Sequence, residues 1–169
     1  MQVLAGRFKG LPVKTSAKMS YRPTKSRVRK SLFDKLTPYS YNTVLDLFSG
    51  SGIMGFEAAS RGALSVTFVE KHRKSLELMK ENSLKFQGPE YKFIKTDVFT
   101  FLREAHYFDL IFADPPYGRF ELEPLSESIL EHLNKNGKFI LECEKGQEPY
   151  LGADVTDYGD TRILTWKKT

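Results

Sequence analysis

The chain has 169 residues, 40% of them hydrophobic and 13% aromatic, which suits a single folded domain and excludes a disordered or low-complexity polymer. Its apolar runs are far shorter than the ~20 residues needed to cross a bilayer and no secretory segment opens it, so the reading is a soluble cytoplasmic protein. The single cysteine, Cys143, can form no internal disulfide, and His72, His106 and His132 lie too far apart for metal-ligand spacing, so no metal is expected.

Charge is unevenly placed. Residues 1–36 hold ten Lys/Arg against one acid, Asp34, a net +9; the remaining residues carry 16 cations against 20 acids, a net −4. A basic arm on a mildly acidic body is the electrostatic footprint of a polyanion binder. The cations alternate with Gly6, Phe8, Gly10, Pro12, Tyr21 and Pro23, not with the acidic i+4 partners of a salt-bridged helix.

Taken in order, Gln2–Ala5 and Leu11–Lys14 bracket a Gly-Arg-Phe-Lys-Gly turn and predict a short hairpin. Thr24 reads as the N-cap of a helix that presents Val28, Leu32, Phe33 and Leu36 on one face and cations on the other, stopped by Pro38. Val44–Phe48 predicts a first strand, followed by Gly50-Ser-Gly52-Ile-Met-Gly55 and a helix from Phe56, capped by Gly62. Val66–Val69 predicts a second strand ending at Glu70. The glycine spacing with an acid 20 residues beyond Gly50 fits a nucleotide-type ligand, and by itself would suit a nicotinamide dinucleotide. Asp46, a carboxylate at the strand end, disfavours a pyrophosphate and tolerates an ammonium.

Lys71–Phe86 predicts an amphipathic helix with Leu76, Met79 and Leu84 inward. A third strand follows at Tyr91–Thr96. Asp97, just past its tip, suits either an N-cap for a helix over 99–105 or a cofactor ligand. Phe108–Ala113 is an apolar run of the kind covered on both faces in a parallel sheet. It stops at Asp114-Pro115-Pro116-Tyr117, where the prolines end the ladder and hold the chain extended. Asp114 can accept N–H bonds, Pro115 and Pro116 offer carbonyls, and Tyr117 offers a stacking face, which together can hold an exocyclic amino group. A helix over 122–133, a turn at Asn136-Gly137, a fifth strand at Lys138–Glu144 with Cys143 buried in it, and a terminal antiparallel pair joined at Gly159-Asp160 complete the prediction. The expected fold is α/β, a Rossmann-like, mostly parallel seven-stranded sheet with a C-terminal antiparallel hairpin. Residues 1–36 are expected as a basic extension and 37–169 as the main domain.

Gly6-Arg-Phe-Lys-Gly-Leu-Pro, Arg22-Pro-Thr, Arg27-Val-Arg, Asp46-Leu-Phe-Ser-Gly-Ser-Gly, Asp114-Pro-Pro-Tyr and Tyr158-Gly-Asp-Thr together resemble the RsmD-type 16S ribosomal RNA guanine-N2 methyltransferases, over nearly the whole chain. Lys30 departs from the family, which commonly has Glu there. The resemblance implies S-adenosylmethionine as cofactor, bound by Asp46, Phe48, Gly50, Ser51, Gly52, Glu70, Lys71, Asp97 and Val98. It implies chemistry at Asp114, Pro115, Pro116 and Tyr117 on the N2 of a guanine in small-subunit ribosomal RNA, free or within a 30S intermediate. Arg22, Lys25, Arg27 and Arg29 are then the expected RNA contacts. Rival readings are an adenine-N6 or cytosine-N4 DNA methyltransferase, a dehydrogenase using the same glycines, and a non-catalytic RNA-binding assembly factor of this fold.

Overall fold

The computed structural model describes residues 1–18 and 24–169; Arg22 lies outside them. Seven strands form one sheet in the order β3-β2-β1-β4-β5-β7-β6. β1 (Thr43–Leu47), β2 (Ser65–Glu70), β3 (Glu90–Lys95), β4 (Phe108–Ala113) and β5 (Leu133–Glu144) are parallel. β7 (Thr161–Lys167) runs antiparallel to β5, and β6 (Asp154–Tyr158) antiparallel to β7. The order reverses at β1, whose neighbours are β2 and β4, and a crevice therefore opens beyond the carboxyl ends of β1 and β4.

Alternation along the strands divides the core in two. Val44, Val66, Phe68, Leu110, Phe112 and Ile140 face α1 (Ser26–Lys35), α2 (Ile53–Ser60) and α3 (Arg73–Ser83), while Leu45, Leu47, Ile111, Phe139 and Leu141 face α4 (Val98–Phe101) and α5 (Leu122–Leu130). Both faces being covered explains why β1 and β4 are nearly continuous apolar runs.

The N-terminal arm is built into the first of these layers. Val28, Leu32 and Phe33 of α1 are buried, and the Phe33 ring lies 5.4 Å from that of Phe112. Residues 4–8 are bonded to α2: the Glu57 carboxylate accepts the N–H groups of Leu4 and Ala5 at 2.8 and 3.2 Å, and Ser60 Oγ accepts that of Phe8 at 2.8 Å. Buried Asn82 of α3 brackets Lys14, accepting its N–H and donating to its carbonyl, both at 2.9 Å.

The first hairpin forms but is short: a single antiparallel bridge of Gln2 with Pro12, flanked by the Val3 N–H to Leu11 carbonyl bond at 3.1 Å and the Val13 N–H to Met1 carbonyl bond at 2.8 Å. Several expectations need correction. Lys25, not Thr24, is the N-cap of α1, and the Thr24 hydroxyl is used elsewhere. Leu84, just past the end of α3, is 73% exposed instead of inward. Asn136, read as a turn between elements, falls within β5 at φ 65°, where the pairing with β4 slips between Phe108 and Leu110. Arg29 is not on the basic surface. It is fully buried against Glu57, and its Nη2 donates to the Gln2 carbonyl at 2.8 Å.

Candidate active site

Five strand ends converge on one cleft of about 780 Å³ at the switch point, within the range of small-molecule sites. Asp46 of β1 and Phe48 just after it, Glu70 of β2, Asp97 after β3, Asp114 after β4 and Glu142 of β5 all line it.

The loop between β1 and α2 gets its shape from backbone conformations that few residues adopt. Phe48, Gly50 and Gly52 have φ of 55°, 53° and 75°. At Gly52 a side chain would also collide with Met79, since a Cβ there would lie 2.7 Å from the Met79 sulfur. Ser49 stitches the loop to the sheet: its hydroxyl donates to the Asp46 carbonyl at 2.5 Å and its N–H to the Val69 carbonyl at 3.2 Å. Glu70, 8% exposed, grips the same loop, with one carboxylate oxygen accepting the Gly50 N–H at 3.0 Å and the other that of His72 at 2.9 Å.

Asp46 accepts the Gly55 N–H at 3.0 Å. Gly55 is the third residue of α2, so its N–H is one of the donors left open at a helix start. A carboxylate therefore already holds part of the position that a pyrophosphate takes in dinucleotide folds. Burial pushes the Asp46 carboxyl up to about 8; the charge of Glu70 adds to this and the Gly55 N–H opposes it. A deep acidic pair beside a close-approach glycine loop suits a cationic amino acid and a ribose diol better than a phosphate.

Asp97 acts as the N-cap of α4, accepting from the Thr100 N–H at 3.0 Å and its hydroxyl at 2.6 Å. The Thr100 hydroxyl is the larger cause holding its carboxyl below the usual range. The carboxylate nevertheless lines the cleft, beside buried Val98. Ser51 is buried at the cleft floor and Lys71 exposed at its rim.

On the opposite wall Asp114, Pro115, Pro116 and Tyr117 follow β4 directly. Pro115 is buried, Asp114 and Tyr117 are half-buried and Pro116 is exposed, so the turn offers carboxylate and ring to the cleft from a fixed base. All the sequence-predicted cofactor and chemistry residues except Gly52 thus line one cavity. Lys25 and Arg27 lie on the exposed side of α1. Lys30 is also outside, 2.7 Å from Asp34. Among the described residues no three His, Cys, Asp or Glu side chains gather as a metal cage, and no helix is long and apolar enough to cross a membrane.

Sequence reading missed three contributors. Phe120 bridges Phe48 and Phe99, with ring centroids at 5.5 and 5.6 Å, and makes an aromatic wall between the two halves of the cleft. Glu142 and Thr24 meet in a buried bond of 2.7 Å, the hydroxyl donating. The only signal for Glu142 was an acid inside the apolar run Phe139-Ile-Leu-Glu-Cys143, on the same strand face as Ile140.

A family model described as Conserved hypothetical protein 95 matches residues 1–162. Ribosomal RNA small subunit methyltransferase D of Haemophilus influenzae is 36% identical over 156 residues, covering 86% of this chain and 79% of that protein. A hypothetical protein of Thermus thermophilus superposes with a TM-score of 0.86 at 32% identity, over 98% of each chain. A structure described as a methyltransferase complexed with SAH shares the fold at a TM-score of 0.65 and 21% identity, over 83% of this chain and 48% of its own.

Proposed function

The chain belongs to the Conserved hypothetical protein 95 family, the RsmD family, and on that premise we propose that it methylates the exocyclic N2 of a guanine in small-subunit ribosomal RNA, using S-adenosylmethionine. One observation carries the reading: the Asp114-Pro-Pro-Tyr117 turn and the acid-backed glycine loop face a single cleft at the switch point of the sheet.

When bound, S-adenosylmethionine supplies an electrophilic methyl carbon on a sulfonium. Asp46, Glu70 and the loop 48–52 would hold its charged and ribose portions, with Asp97 and Val98 at the adenine. The amino nitrogen of guanine is conjugated and weakly basic, so the residues must orient its lone pair and not create a stronger nucleophile. Asp114 and the Pro115 carbonyl accept its two hydrogens, which turns the lone pair toward the methyl group and stabilises the positive charge that grows on nitrogen. Transfer of the methyl group, with the C–S electron pair retained by sulfur, would leave the nitrogen with a surplus proton, which the Asp114 carboxylate would take up. Tyr117 stacks on the base, which has been drawn out of its own stack.

The exposed cations of α1, Lys25 and Arg27 among them, would meet phosphates beside the cleft. The test is tritium transfer from S-adenosylmethionine to small subunits from cells lacking the protein, with the labelled nucleoside identified and mapped by primer extension. The reading predicts one labelled N2-methylguanosine. Label on DNA alone, or a melting shift with NAD and none with S-adenosylhomocysteine, would overturn it.

A further inference from the structure

We propose that Glu142 reads the ring nitrogen next to the reacting amino group and so makes the site selective for guanine over adenine and cytosine. The proposal rests on the reading of Asp114 as the amino acceptor.

Its basis is register. Ala113 of β4 pairs with Leu141 of β5, so Asp114 and Glu142 are the next aligned positions on neighbouring parallel strands. Strand pleating puts Asp114 on the side of Phe112 and Glu142 on the side of Ile140, and both of those belong to the layer beneath α1. Neighbouring strands lie about 4.8 Å apart, so the two carboxylates stand side by side at one end of the cleft that both line.

The three amino-bearing bases differ at the atom next to the amino carbon. Beside its N2 amino group guanine has N1–H, a donor. Beside its N6 amino group adenine has N1, an acceptor, and beside its N4 amino group cytosine has N3, also an acceptor. With the amino group held on Asp114, an ionised carboxylate alongside accepts N1–H from guanine but meets a lone pair in either alternative. A site built to pair with a particular donor rejects analogues that lack it, because a desolvated polar group is left unmatched. Glu142 is only 9% exposed, so that mismatch is not relieved by bulk water.

Thr24 keeps the acid in place. Its hydroxyl, itself on a residue 6% exposed, donates to Oε2 of Glu142 at 2.7 Å and links the basic arm to β5. This bond takes one of the roughly four lone-pair positions of the carboxylate.

The test uses small subunits reconstituted with a synthetic RNA segment carrying, at the mapped nucleotide, either guanine or 2,6-diaminopurine. The latter keeps the C2 amino group but presents N1 as an acceptor. The wild-type enzyme should favour guanine in kcat/KM by on the order of 10–100-fold. Glu142→Gln, whose amide can donate to N1, should lose rate on guanine, gain on diaminopurine and collapse the ratio at least tenfold. Thr24→Val, which removes the bond that positions Glu142 but keeps its carboxylate, should lower the ratio by less than Glu142→Gln does. No wild-type preference, an unchanged ratio in Glu142→Gln, or an equal collapse in Thr24→Val would overturn the proposal, and the wild-type preference is read without any variant. If only the proposal fails, wild-type product remains N2-methylguanosine; a different methylated nucleoside would overturn the reaction reading with it.

Discussion

Arg29 of α1 and Glu57 of α2 form an ion pair with no exposure on either side chain, Nε to Oε2 at 3.5 Å. Glu57 also accepts from Arg61 Nε at 2.9 Å and from the backbone of Leu4 and Ala5, so one carboxylate joins α1, the first residues and the helix that starts at the glycine loop. Burial lowers the Arg29 pKa, with Glu57 opposing that shift. Removing one partner of such a pair leaves a desolvated charge. Glu57→Ala or Arg29→Ala should therefore cost about 3–5 kcal/mol and lower the melting temperature by roughly 10 °C. Calorimetry of the two single variants checks this, and a loss of less than about 1 kcal/mol in both would contradict it.

With Arg29 buried, the electrostatic prediction moves to Lys25 and Arg27, both exposed. If each meets a phosphate, Lys25→Ala and Arg27→Ala should weaken binding across RNA sequences alike and each reduce the slope of log affinity against log salt by about 0.7–0.9. Filter binding across a salt series measures this, and unchanged slopes would remove α1 from the RNA interface.

Asp46 gives a pH dependence with a definite sign. Its folded-state value of about 8 lies above its ordinary value of 3.8. Between those values the folded chain holds a proton that the unfolded chain has released. This group's contribution to stability is thus fully present below about pH 4 and is lost as pH rises toward 8. A cationic ligand beside Asp46 favours the ionised form and expels the proton. S-adenosylmethionine should accordingly bind more tightly as pH rises from about 6 to 7.5, by up to roughly tenfold per unit, in a window below the titration of the ligand's own α-amino group. Asp46→Asn should flatten the dependence in titration calorimetry; an equally steep slope in that variant would assign it to another group.

Glu70 holds the Gly50 and His72 N–H groups and lines the cleft. Glu70→Ala should weaken S-adenosylmethionine binding by roughly 1–3 kcal/mol, the range for a lost charge-assisted hydrogen bond. A dissociation constant equal to wild type would show that this end of the cleft does not hold the cofactor.

The sheet was legible because β1, β4 and β5 carry apolar runs buried on both faces, and the terminal hairpin because Gly159-Asp160 leaves only two residues for the turn. The glycine loop and Asp114 could be found because chain breakers at strand ends leave a signature in the sequence. What stayed hidden depends on distant pairing. Arg29 looks like its neighbour Arg27 in the sequence, and only the packing of α1 on α2 shows that it faces Glu57, 28 residues away. Thr24 has the chemistry of an N-cap, yet its hydroxyl is drawn to Glu142 across 118 residues. Phe120 gave no periodic signal, because its partners Phe48 and Phe99 belong to the loop after β1 and to α4.

Whether the turn after β4 holds the amino group that receives the methyl is decided by single-turnover transfer in Asp114→Ala. Orientation and charge stabilisation act mainly in the transition state. The variant should lose ~10²-fold or more in transfer rate to small subunits while its dissociation constant for S-adenosylmethionine changes by less than about threefold. Transfer at a near-normal rate would contradict the assignment of Asp114 and, with it, the proposed reaction.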